Sequence, residues 1–146
     1  MRDRRFVAEH RGGPLNKQQH NDLLEWASNC VKHVLIHIGE HSDSSLKKIL
    51  DVGEAWKNGQ TSVGDARNAA FAAIAIANEL EDPAKIFATR AVGHVVAVAH
   101  MADHSLRAVD YALKALRTED ERILERQWQN EQLPISIKTL VLTARL

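Results

Sequence analysis

Apolar residues along this chain recur at intervals of three and four, and the residues between the apolar stretches are those that start and stop helices. Leu23, Leu24, Ala27, Val31, Val34, Leu35 and Ile38 fall on one stripe. Asn16, three before Gln19, forms a variant of the capping box ahead of that stripe, and Gly39 is a natural stop behind it. A second helix starts near Ser42-Asp43-Ser44, turns Leu46, Ile49, Leu50, Val52 and Trp56 inward, and ends at Asn58-Gly59. Ser62, with Asp65 in the first turn, opens an alanine-rich third helix from about Val63 to Leu80. Asp82-Pro83, a cap followed by proline at the first helical position, opens a fourth that is expected to reach about Ala102.

The second half of that fourth helix is apolar nearly all round, which places it at the centre of a bundle. A fifth helix covers about Asp103 to Arg117, either continuous with the fourth or offset by a kink. Thr118 and Glu121 form a T-x-x-E box opening a helix from about Glu119 to Gln132. Leu133-Pro134 breaks it, and a short last helix spans about Ser136 to Ala144. Residues 1–14, ending in Gly12-Gly13-Pro14, read as irregular. No stretch alternates with period two, and no linker exceeds a turn. The expectation is an all-α single domain over residues 1–146, a bundle of six to seven helices around an alanine-rich central pair. Phe71, Ile74, Val92, Val95, Val96, Ala99, Leu113 and Trp128 are expected in the core. Phe71, Ile74, Ile76 and Phe87 would fill the space left between small residues.

Charge changes the picture little, because 19 basic and 19 acidic residues cancel. That balance argues against a dedicated nucleic-acid binder. Cys30 is the sole cysteine, so no intrachain disulfide is expected, and a lone thiol suits a reducing compartment. The Met1-Arg-Asp-Arg-Arg start leads into no apolar stretch and does not read as a signal peptide. The longest nearly uncharged apolar run, Ala91 to Ala102, is too short to span a bilayer. A cytoplasmic protein with no membrane contact is expected.

Histidine carries the candidate chemistry, with eight in the chain. His33, His37 and His41 step by four, a metal-ligand spacing, but His41 lies beyond the Gly39 stop, so a partly exposed polar edge is the expectation. On a continuous helix, His100, Asp103, His104, Arg107, Asp110 and Tyr111 would share a wedge of about 120°. Two imidazoles and a carboxylate can hold a transition metal. Arg107, however, pairs by spacing with both Asp103 and Asp110, and a permanent guanidinium charge is a poor neighbour for a cation. The expectation is a polar network or partner-binding face without a metal; were a metal bound, His100, Asp103, His104 and His94 would be its ligands. His94, about 120° around from His100, reads as a buried histidine satisfied by a hydrogen bond. No nucleophile elbow, Walker A, G-x-G-x-x-G, H-E-x-x-H or C-x-x-C occurs, and no motif calls for a cofactor.

Four segments together carry a resemblance. They are Arg5-Phe-Val-Ala-Glu-His-Arg-Gly-Gly-Pro-Leu15, Val63-Gly-Asp-Ala-Arg-Asn-Ala-Ala-Phe-Ala-Ala73, Ala91-Val-Gly-His-Val-Val-Ala-Val-Ala-His-Met-Ala102, and Trp128-Gln ahead of Leu133-Pro134. With them the chain resembles the Imm5-like immunity proteins, a family of small bacterial all-helical proteins. The resemblance implies a non-enzymatic protein that binds and neutralises a cognate protein toxin, and it assigns no functional residue. Two other readings stand beside it: a metal-dependent helical hydrolase using His94, His100, Asp103 and His104, and an oligomeric helical scaffold, a homo-oligomer packed through the alanine-rich helices.

Overall fold

The computed structural model describes residues 2–146. Seven α-helices follow in order: α1 (Lys17–His37), α2 (Ser44–Lys57), α3 (Val63–Asn78), α4 (Pro83–Ala97), α5 (His104–Lys114), α6 (Glu119–Glu131) and α7 (Lys138–Ala144). Among the described residues there is no strand, only an isolated bridge between Ala8 and Leu15. The all-helical expectation is met.

Local chemistry sets most boundaries. Asn16 accepts the Gln19 amide while the Gln19 side chain accepts the Asn16 amide, a complete capping box. Asp43, Ser62, Asp82 and Thr118 each accept an amide of the first turn that follows. At Thr118 the box is only half made, because its hydroxyl, and not its backbone N–H, donates to Glu121. Gly39 (φ 77°) and Gly59 (φ 73°) end α1 and α2. Around each, the next residue's N–H reaches five residues back, Glu40 to Leu35 and Gln60 to Ala55, which ties up the last carbonyls.

Helix α4 sits at the centre, packed against α1, α2, α3 and α5. Its Val92, Val95 and Val96 are fully buried. Gly93 allows the close approach of α3: a Cβ there would stand 3.0 Å from the Ala73 Cβ. This contact overturns the expectation for Phe71 and Ile74, which are 59% and 53% exposed. Helix α3 turns Ala66, Ala73 and Ala77 inward, so its bulky residues fall on the outer face. Of the remaining core expectations, Val92, Val95, Val96, Ala99 and Leu113 are buried, and Trp128 is half-buried against the core. Ile76 and Phe87 also pack partly buried against it.

Residues 2–14 are more ordered than expected, and Met1, the first residue of the segment read as irregular, lies outside the described residues. Two single turns of 3-10 helix, Arg4–Phe6 and Glu9–Arg11, fold back on Leu15, and Phe6 and Leu15 are buried in the common core. Gly13 lies so close beneath this loop that a Cβ would overlap the Val7 carbonyl. Gly13→Ala is therefore expected to lower stability by about 1–3 kcal/mol, read as a lower thermal midpoint. An unchanged midpoint would mean the loop is not docked as described.

Candidate functional site

The site lies where α4 gives way to α5. The fourth helix was expected to continue to Ala102, but it ends at Ala97. The chain then passes through tight turns in which the amides of Val98, Ala99 and His100 reach back three residues. No glycine or proline causes this. His20 of α1, 3% exposed, bonds through Nε2 to the Val98 carbonyl at 2.5 Å. In a continuing helix that carbonyl would accept from the Ala102 amide. The Ser105 hydroxyl takes the Ala102 carbonyl at 2.7 Å and closes the turn from the far side. Burial holds the His20 imidazole below its ordinary pKa, so the neutral ring donates its N–H.

The break redistributes the expected histidine face. His104 swings against His94, and their Nδ1 atoms stand 2.8 Å apart. One ring must donate and the other accept, so a second proton on this edge would set two N–H groups against each other. Burial first, and the neighbouring His104 second, push His94 down to about 4; burial is also the main cause that lowers His104. Tyr111 stacks on His94 at 5.2 Å, and Phe87 lies beyond it at 6.3 Å from Tyr111.

His100 goes elsewhere. Its Nδ1 accepts from Arg67 Nη2 at 2.8 Å. Burial, then the positive charges of Arg67, Arg11 and Arg2, depress its pKa. Asp103 pairs with Arg2 at 2.8 Å and not with Arg107, and its other carboxylate oxygen is buried without a partner among the described residues. Asp110 faces Arg145 at 3.8 Å, and Arg107 is exposed with no ion pair among the described residues. The single face expected for His100, Asp103, His104, Arg107, Asp110 and Tyr111 is thus dispersed: His104 and Tyr111 gather at His94, His100 goes to Arg67, Asp103 to Arg2 and Asp110 to Arg145, and Arg107 stands apart. Among the described residues no three His, Cys, Asp or Glu side chains converge as a ligand set.

Between α3 and α4 this arrangement borders a groove of about 340 Å³. Ala70, Ala73, Gly93 and Ala97 line it, Phe71 and Ile74 form one wall, and Arg67, Arg90, His94, His100 and His104 supply its polar edge. Sequence reasoning missed this groove because it placed Phe71 and Ile74 inside.

The other candidates are structural. His33 and His37 of α1 bond to Glu125 and Glu121 of α6 at 2.6 and 2.7 Å, and His33 stacks on Trp128 at 3.7 Å. His41 is exposed in the turn after α1. Cys30 is fully buried, and that burial pushes its thiol well up, away from the reactive thiolate. Arg145, unremarked in the sequence, is nearly buried and bonds to the Gln129 and Asn130 side chains, anchoring the chain end to α6. No described helix is long and apolar enough to cross a membrane.

No curated protein and no solved structure gives a significant match to this chain. A family model does, that of the "Imm-5 like putative immunity protein", over residues 13–136. The match runs from the glycine beneath the N-terminal loop, through all of α1 to α6 and the whole α3–α4 groove, so the chain belongs to the Imm5-like family.

Proposed function

We propose that this chain is a non-catalytic immunity protein of a bacterial cytoplasm, which binds a toxin made by the same cell and blocks it. The family match over residues 13–136 carries the reading. Two features of the molecule support it. His94 and His104 are engaged with each other, His100 with Arg67, His33 and His37 with carboxylates and His20 with a backbone carbonyl, and the thiol is sealed in the core. The α3–α4 groove also leaves Phe71 and Ile74 more than half exposed beside Arg67 and Arg90, which have no carboxylate partner among the described residues, the mix of aromatic and arginine side chains enriched at protein interfaces.

The test is co-expression with each candidate toxin encoded by neighbouring genes. The chain is expected to restore growth by several orders of magnitude in viable count and to co-purify with the toxin in a fixed ratio. Failure to protect, together with no complex between the purified proteins, would overturn the reading.

A further inference from the structure

The two arginines of this groove stand apart from the ion-paired cations of the chain. Arg2, Arg5, Lys57, Lys85, Arg122 and Arg145 each lie within 4.0 Å of a carboxylate oxygen. Arg90 has no such partner among the described residues, and Arg67 bonds only to the imidazole of His100. No acidic residue lines the groove. The Arg67 contact holds the guanidinium in place without neutralising it, because burial and then the electropositive surroundings disfavour a proton on His100. The groove therefore combines an apolar bed with two uncompensated guanidinium groups. Arg67 and His100 stand at one end, beside the α4–α5 turn. Arg90 lies about 10–15 Å along α4 from His100, by helical rise.

We propose that the α3–α4 groove receives an acidic segment of a protein partner, one apolar side chain of which lies between Phe71 and Ile74 while carboxylates at its two ends meet Arg67 and Arg90. This rests on the immunity reading only for the partner's identity as the toxin. The guanidinium fork matches a carboxylate bidentately, and its charge strengthens the bond. The apolar lining argues for a protein segment over a phosphate backbone, which would gain nothing from Phe71 and Ile74. A second copy is the other acidic and apolar occupant at hand, since Ile123 and Leu124 are exposed on α6 near Glu119 and Asp120.

The experiment is an NMR amide-shift titration of the full chain with two short peptides, acetyl-Asp-Leu-Phe-Asp-amide and acetyl-Lys-Leu-Phe-Lys-amide, and a thymidine oligonucleotide. The acidic peptide is expected to shift the amides of Arg67, Phe71, Gly93 and His100 and to bind at least tenfold tighter than the basic one. The double variant Arg67→Glu with Arg90→Glu is expected to reverse that order. Both arginines are exposed, and a wild-type amide spectrum away from the groove checks its fold; Phe71→Ser, expected to weaken the acidic peptide at least fivefold, serves if the double variant does not fold. Equal affinity for the two peptides, shifts centred elsewhere, an oligonucleotide bound as tightly as the acidic peptide, or concentration-dependent self-association through the same amides would each overturn the proposal. Co-expression separates it from the immunity reading. Protection kept by the double variant at the wild-type level sinks the groove assignment and leaves the immunity reading standing. Acidic-peptide binding by a wild type that neither protects against nor binds the toxin does the reverse.

Discussion

Replacing Val95 with Asp is expected to leave the chain unfolded. Val95 is fully buried in α4, the helix that contacts α1, α2, α3 and α5 together. A carboxylate there must either lose its hydration as an ion or take up a proton, and both routes cost several kcal/mol. A domain of this size has a total stability of about 5–15 kcal/mol, so one such substitution removes most of it. Val95→Ala separates charge from cavity: deleting two methyl groups is expected to cost about 2 kcal/mol and leave a folded protein with a lower midpoint. Helical circular dichroism with a urea titration reads both. A Val95→Asp protein that melts like wild type would show that α4 is not central.

The helices were legible because their ends are written in adjacent residues. Asn16 with Gln19, Ser62 with Asp65, Asp82 with Pro83, and the glycines at 39 and 59 all act within one turn, the range over which a sequence can be read directly. The end of α4 was not, because the group that takes the Val98 carbonyl lies 78 residues away on α1. A wedge drawn on a continuous helix therefore brought together side chains that a break sends to Arg67, His94 and Arg2. Phe71 and Ile74 were misplaced because size was weighed above spacing. Ala66, Ala73 and Ala77 sit seven and four apart on the face that meets Gly93, a sign that small residues formed the buried side. A further signal went unused: His33 and His37 are four apart, and so are Glu121 and Glu125, which suits two helices pairing rung by rung. Nothing near Arg145 in the sequence announces its buried contacts with α6.

Acid should weaken the fold through its buried histidines. His94 is pushed from 6.5 to about 4, and His104, His20 and His100 are lowered as well, in every case mainly by burial. A depressed histidine leaves the folded state neutral while the unfolded chain takes up a proton, so stability present above about pH 6.5 is lost as the pH falls toward the folded value. Around His94 the charged neighbours are His104, Arg107 and Asp103, and only Asp103 opposes the shift. Around His20 they are Lys17, His10 and Arg11, none of which favours its proton. At about 1.4 kcal/mol per pH unit, the His94 shift alone sets a ceiling of about 3.5 kcal/mol, and solvent reaching the ring reduces this to about 1–2 kcal/mol. Urea midpoints followed by tryptophan fluorescence are expected to show wild-type stability falling by about 2 kcal/mol between about pH 7.5 and about pH 5.5. Asp110, whose carboxyl is raised by burial, contributes with the opposite sign. His94→Gln with His104→Gln keeps amides capable of hydrogen bonding at the 2.8 Å contact but removes both protons from the titration. The double variant should lose about half as much stability as wild type over the same window. A wild type whose midpoint holds steady or rises on acidification, or a variant with an unchanged slope, would mean that the His94–His104 pair is not held neutral by the fold.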